Sequence, residues 1–177
     1  MSETTDSVIV LNRALDQMGD LVAAVRDDQL GNVTPCRAWR VQQLLAHVLA
    51  APQRFLRMAH GEEVDWDSTP TPPETGWAEA FREDADDLIH HWHQQGEEAG
   101  SADWHTAEFA VHAYDLARGI GRGTDKLDPA PAERGLALMQ QQLTPDNRSP
   151  AFEPEQPAPE GADAYERLAA YAGRRVG

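Results

Sequence analysis

Three side chains have the types and spacing to do chemistry together. In SADWHTAEFAVHAYDLARGI (residues 101–120), Glu108 and His112 stand four positions apart, which on a helix places them on adjacent turns of one face. His47 lies far away in the chain, in the helical segment RVQQLLAHVLAA (residues 40–51). A carboxylate and an imidazole on one helix, met by an imidazole from a facing helix, offer three donors to a divalent ion. Three protein donors leave coordination positions open, as catalytic sites do and closed structural sites do not. The same residues could instead form a hydrogen-bonded buried His–Glu pair or a wet rim, and spacing alone does not separate these readings. His105, three residues before Glu108, is open to three roles: a fourth ligand, a proton shuttle or an exposed residue, of which the last two are preferred.

Acid-x-x-x-His pairs also arise by chance in a chain with 30 acidic residues and 7 histidines, and Asp86/His90 and Asp87/His91 are two more. Helical phase sorts them. At about 100° per residue, a helix that turns Trp77, Phe81, Leu88 and Trp92 inward puts Asp86 and His90 on the opposite face and Asp87 and His91 on a flank. Glu108 and His112 instead border the apolar arc of Phe109, Ala113, Leu116 and Ile120. His47 continues the row of Leu44, Ala51 and Phe55, so it faces inward too.

The elements that must hold these residues read as helices. Val8, Leu11, Leu15, Met18, Val22 and Val25 form one stripe of an amphipathic helix over about residues 5–26, with Asp6 or Ser7 as its cap. A turn containing Pro35 precedes a second helix from Val41 to about His60, its inward row running through Leu44, Val48, Phe55 and Ala59. Pro52 predicts a kink or break near residues 48–51. The Pro-rich stretch at 61–76 is long enough for a crossover. A third helix runs from Trp77 to about residues 96–100, and Ser101 can cap the fourth, which ends at Gly119–Gly123. A helix at about 130–143, an extended arm and a last helix at about 163–174 complete the chain. No strand pattern stands out, so an all-α bundle with a C-terminal appendage is expected.

At 177 residues one domain spanning residues 1–177 is expected. The formal net charge of −15 repels phosphate backbones and argues against nucleic-acid binding. No apolar run reaches the length of a membrane span. The N-terminus, MSETTDSVIVLNRALDQMGD, lacks the basic start and apolar centre of a secretory signal, so a cytoplasmic location is expected. The single cysteine, Cys36, allows no intramolecular disulfide and reads as a packed small residue rather than a nucleophile. The one lysine against 14 arginines points to a GC-rich genome.

Three stretches carry a family resemblance: TPCRAWRVQQLLAHV at residues 34–48, AEFAVHAYDLARGIG at 107–121 and FEPEQPAPEGADAYERLAAYAGR at 152–174. In order and content they resemble the mycothiol-dependent maleylpyruvate isomerase N-terminal domain family, within the DinB-like superfamily of metal-binding four-helix bundles. Its pattern there is Thr-Pro-Cys, a Trp, a helix ending in Leu-x-x-His-Val, and later Glu-x-x-x-His-x-(Trp/Tyr)-Asp-Leu-Ala-Arg. This chain departs from it at Ala38, where glycine is usual, and at Pro52, just past the histidine.

The resemblance implies a divalent metal held by His47, Glu108 and His112, with open positions for water or a thiol. It further implies use of a low-molecular-weight thiol such as mycothiol, in isomerisation or S-transfer to a small electrophile, and a capacity for homodimerisation. Zinc suits two histidines and one glutamate; nickel, manganese and iron suit the same donors nearly as well. Asp115 is a candidate for a supporting hydrogen bond to a ligand imidazole or to Trp39, against a plain solvated role. Arg54 and Arg118 are candidate anchors for a carboxylate of substrate or thiol, against ordinary surface salt bridging. The larger isomerases carry a further C-terminal domain that is not expected here. Two rival readings use the same scaffold: a hydrolase that activates water on its metal, and a metal-binding stress-response module without catalysis.

Overall fold

The computed structural model describes residues 3–68, 70–95, 102–148 and 152–176, the side chains of residues 3–5 excepted. Within them the chain is all-helical: α1 (Glu3–Ala23), α2 (Val41–Ala59), α3 (Trp77–Gln94), α4 (Ala102–Gly119), α5 (Pro129–Gln142) and α6 (Ala164–Tyr171), with a short 3-10 turn at Asp27–Gln29. The predicted cap at Ser101 and the predicted end of α3 at residues 96–100 lie outside the described residues. α1 starts earlier than its apolar stripe suggested, so Asp6 and Ser7 sit inside the helix rather than capping it. Ser7 is buried there and accepts a hydrogen bond from Arg134 at 2.9 Å.

α1 and α2 each pack against both α3 and α4, which places α1 opposite α2 and α3 opposite α4 in a four-helix bundle. Gln53 reaches Asp84 and Asp87, and the His60 ring meets that of His91, so α2 and α3 run parallel. Parallel neighbours need a connection that returns the length of the bundle, and residues 61–76 make that crossover. On the way they lay Trp66 against Phe55 and bring Ser68 to Arg54. α2 and α4 are antiparallel, with Val41 beside Gly119 at one end and Phe55 stacked on His105 further along.

The predicted inward rows form the core: Val8, Leu11, Leu15, Met18 and Val22 of α1 are all buried, as is Val25 just past its end, and so are Leu44, Val48 and Phe55 of α2. Ala59 is exposed because the inward row of α2 stops at Phe55. The helix passes through Pro52 unbroken; proline removes one backbone donor, and the turns on either side remain helical.

α4 is the most enclosed helix. Its back, with Ala107, Ala110 and Ala117, is covered by α5 and α6. Close packing of α4 depends on small residues on both sides: a Cβ at Gly135 of α5 would stand 3.0 Å from the Ala107 Cα, and one at Gly119, on the α2 side, would stand 2.8 Å from a Val41 methyl.

Candidate metal centre

α2 is started by backbone together with Gln43, whose side-chain oxygen accepts the Arg40 N–H at 3.0 Å. The N–H groups of Val41 and Gln42 donate to the carbonyls of Asn32 and Leu30, at 3.0 and 2.9 Å. These bonds meet donors that a helix start leaves open and tie the 30–40 loop to the helix. Within that loop the Thr34 hydroxyl lies 2.9 and 2.7 Å from the carbonyl oxygens of Cys36 and Trp39. The closed turn sets the Trp39 ring on His47, with centroids 4.5 Å apart. Trp66, from the crossover, approaches the His47 ring to 5.9 Å.

His47, Glu108 and His112 converge from α2 and α4. Glu108 Oε1 lies 3.0 Å from His47 Nε2 and 3.1 Å from His112 Nε2, and the three donor atoms all fall within 4.8 Å of one another. Tetrahedral zinc with bonds of about 2.0–2.1 Å separates neighbouring ligand atoms by roughly 3.4 Å, so a small opening of this cluster suits the donors to a divalent ion. They form the sole group of this kind among the described residues.

Behind His112 stands a buried support. His112 Nδ1 is 3.1 Å from Asp115 Oδ2, and the Asp115 side chain is 0% exposed. Arg174 donates to both oxygens of Asp115, from Nε at 3.2 Å and from Nη2 at 2.9 Å. With Nδ1–H held by a carboxylate, Nε2 is the nitrogen left for a ligand bond. The solvated reading of Asp115 therefore gives way to the supporting one. Asp115 lies behind His112 rather than at the open face of the cluster.

Arg174 escaped sequence reading, although it ends the third stretch of the resemblance. It reaches α4 through the end of α6, where the N–H of Gly173 donates to Ala170 and that of Arg174 to Ala169. This closing turn needs a left-handed residue, and Gly173 supplies it with φ 96°.

Charge follows geometry. Burial disfavours an ionised Glu108, but the two imidazoles outweigh it and hold the carboxyl well below its usual range. Burial alone would lower His112; Glu108 and Asp115 reverse this and raise it to about 9. Burial and the neighbouring His112 keep His47 below its ordinary value, against the pull of Glu108. Asp115 is held low by His112 and Arg174 despite burial.

The remaining candidates fall elsewhere. His105 stacks on Phe55 at 4.0 Å, and its Nδ1 accepts the Trp92 indole N–H at 3.2 Å. Burial lowers it to about 4, so it is neutral through the physiological range, and it adds no donor to the cluster. Arg54 is buried and donates from Nη2 to the carbonyl and hydroxyl of Ser68. Arg118 is exposed. Asp86 and His90 are exposed as phase predicted, and His91 turns to His60. Cys36 is a half-buried free thiol whose pKa burial pushes up.

A cavity of about 140 Å³ adjoins His47, lined by Trp39, Gln43, Trp66, Asp67, Ser68 and Pro70. Residues 11–148 match the family described as mycothiol maleylpyruvate isomerase N-terminal domain. The chain belongs to that family. Its all-helical, DinB-like fold agrees with the motifs in the sequence. Two relatives from Mycobacterium tuberculosis, Uncharacterized protein MT0763 of strain CDC 1551 / Oshkosh and Uncharacterized protein Rv0738 of strain ATCC 25618 / H37Rv, are each 30% identical to it. Both alignments cover 97% of this chain and 99% of the relative. No solved structure gives a significant match. No described helix is long and apolar enough to cross a membrane.

Proposed function

We propose that the protein is a metal-dependent thiol transferase or isomerase. His47, Glu108 and His112 would hold one divalent ion, and a mycothiol-type thiol would be the cosubstrate of a small electrophile. The observation that carries this reading is the convergence of three donor atoms within 4.8 Å, one of them oriented from behind by a buried carboxylate and guanidinium. Membership of a mycothiol-related family supports the choice of thiol. Zinc suits the donor set best.

A bound divalent ion supplies Lewis acidity that favours thiolate over thiol near neutral pH. The protein's own residues do the rest. Asp115 keeps the Nδ1 proton on His112 and so presents Nε2. Trp39 and Trp66 flank His47 and give its surroundings aromatic walls. The adjoining cavity gives a small molecule access to the His47 side of the cluster.

Elemental analysis tests the donors: the wild type should carry about one equivalent of metal, and His47→Ala and Glu108→Ala should lose it. Full metal retention in both variants would sink the assignment. Turnover of a chlorinated aromatic electrophile should require mycothiol or a surrogate thiol. Equal turnover without any thiol would end the transferase reading.

A further inference from the structure

Arg54 is an oddity of the fold. It lies on α2 two helical turns beyond His47, its residue is only 8% exposed, and no carboxylate pairs with it among the described residues. Nη2 is occupied by the carbonyl and hydroxyl oxygens of Ser68, at 2.9 and 2.8 Å, while Nη1 is buried with no hydrogen-bond partner. The guanidinium rests 5.5 Å from the Trp66 ring centroid. Burying a cation without a counter-charge is costly, and a guanidinium fork matches the two oxygens of a carboxylate. Ser68 satisfies one arm of that fork with neutral oxygens, from an exposed position on the crossover. Trp66 and Ser68 also wall the cavity beside His47, so Arg54 stands directly behind that wall.

We propose that Arg54 is the carboxylate-binding group of this site: a flat, carboxylate-bearing small molecule displaces Ser68, pairs with both arms of the guanidinium and lies along Trp66. This rests on reading the His47 end of the bundle as a small-molecule site, and it adds the substrate's charge and shape. Two features choose the ligand class. The missing partner of a buried guanidinium is an anion, and the surrounding groups, Trp39, Phe55 and Trp66, are aromatic planes.

The test is calorimetric titration of the full-length protein, metal content as purified, with benzoate and with its neutral isostere benzamide. Benzoate should bind at least about tenfold more tightly, the scale of one charge-assisted pair. Arg54→Gln should erase that preference while leaving metal content unchanged, and Arg54→Lys, which keeps charge but not the fork, should restore only part of it. A wild type that binds both probes alike overturns the proposal without recourse to any variant. So does an Arg54→Gln protein that keeps the benzoate preference. An Arg54-dependent preference in protein that carries no metal would sink the metal reading and leave this one standing.

Discussion

Arg174→Gln is the most informative single change, because Arg174 touches none of the three donors. It removes two hydrogen bonds, at 3.2 and 2.9 Å, from a carboxylate that is 0% exposed. Breaking a buried ion pair from one side costs about 3–5 kcal/mol. His112 remains as a second partner of Asp115, so the lower end applies, about 3 kcal/mol. For a chain of this size that is a drop in Tm of roughly 6–12 °C. Loosening Asp115 also frees the His112 ring, and loss of such support typically weakens metal binding by about 10–100-fold. Thermal melts give the first quantity and titration against a competing chelator the second. The double change with Asp115→Asn closes a cycle whose coupling should exceed about 1 kcal/mol. A Tm within about 2 °C of wild type, an unchanged metal affinity and no coupling would together refute the argument that the C-terminal helix holds the site in shape.

Gly173→Ala should mimic that loss from one residue away: its φ is 96°, and a Cβ there would stand 2.7 Å from the Glu153 carbonyl oxygen. Melts should show a cost of about 2 kcal/mol or more. In metal-free protein, His112 is raised to about 9, so the folded state holds its proton where the unfolded state has released it. That stability is fully present below the unfolded pKa of about 6.5 and is lost as pH rises through 9; a melt series should show it, and His112→Gln should abolish it. His105 acts with the opposite sign. Lowered to about 4, it contributes stability that is present above about 6.5 and lost as pH falls toward 4, so His105→Phe should flatten the acid side of the profile. Because a metal must displace the His112 proton, its affinity should climb about tenfold per pH unit between 7 and 9; a flat profile would take His112 out of the donor set.

Much of the site was legible before any coordinates. The i, i+4 spacing of Glu108 and His112 and the phase of His47 on its apolar row are properties of helices, and a helix is a local structure whose faces follow from counting residues. The same counting set aside Asp86/His90, and the apolar rows of α1 and α2 became core wherever a partner helix covered them. Counting failed where burial came from elements distant in sequence. Counting residues left Asp115 between a supporting and a solvated role, and Arg174, 59 residues away, buries and pairs it. His105 looked exposed or free to shuttle protons, yet Phe55 and Trp92 enclose it.

Residue order was therefore enough for the helices, their inward faces and the family, and, through the family motifs, for the three side chains that converge. Tertiary structure alone decided which imidazole nitrogen is presented, which arginine meets a carboxylate and which is left without one. The reason is physical. Side-chain periodicity is set by backbone geometry within a few residues, whereas desolvation and charge pairing depend on what the folded chain brings up from far away.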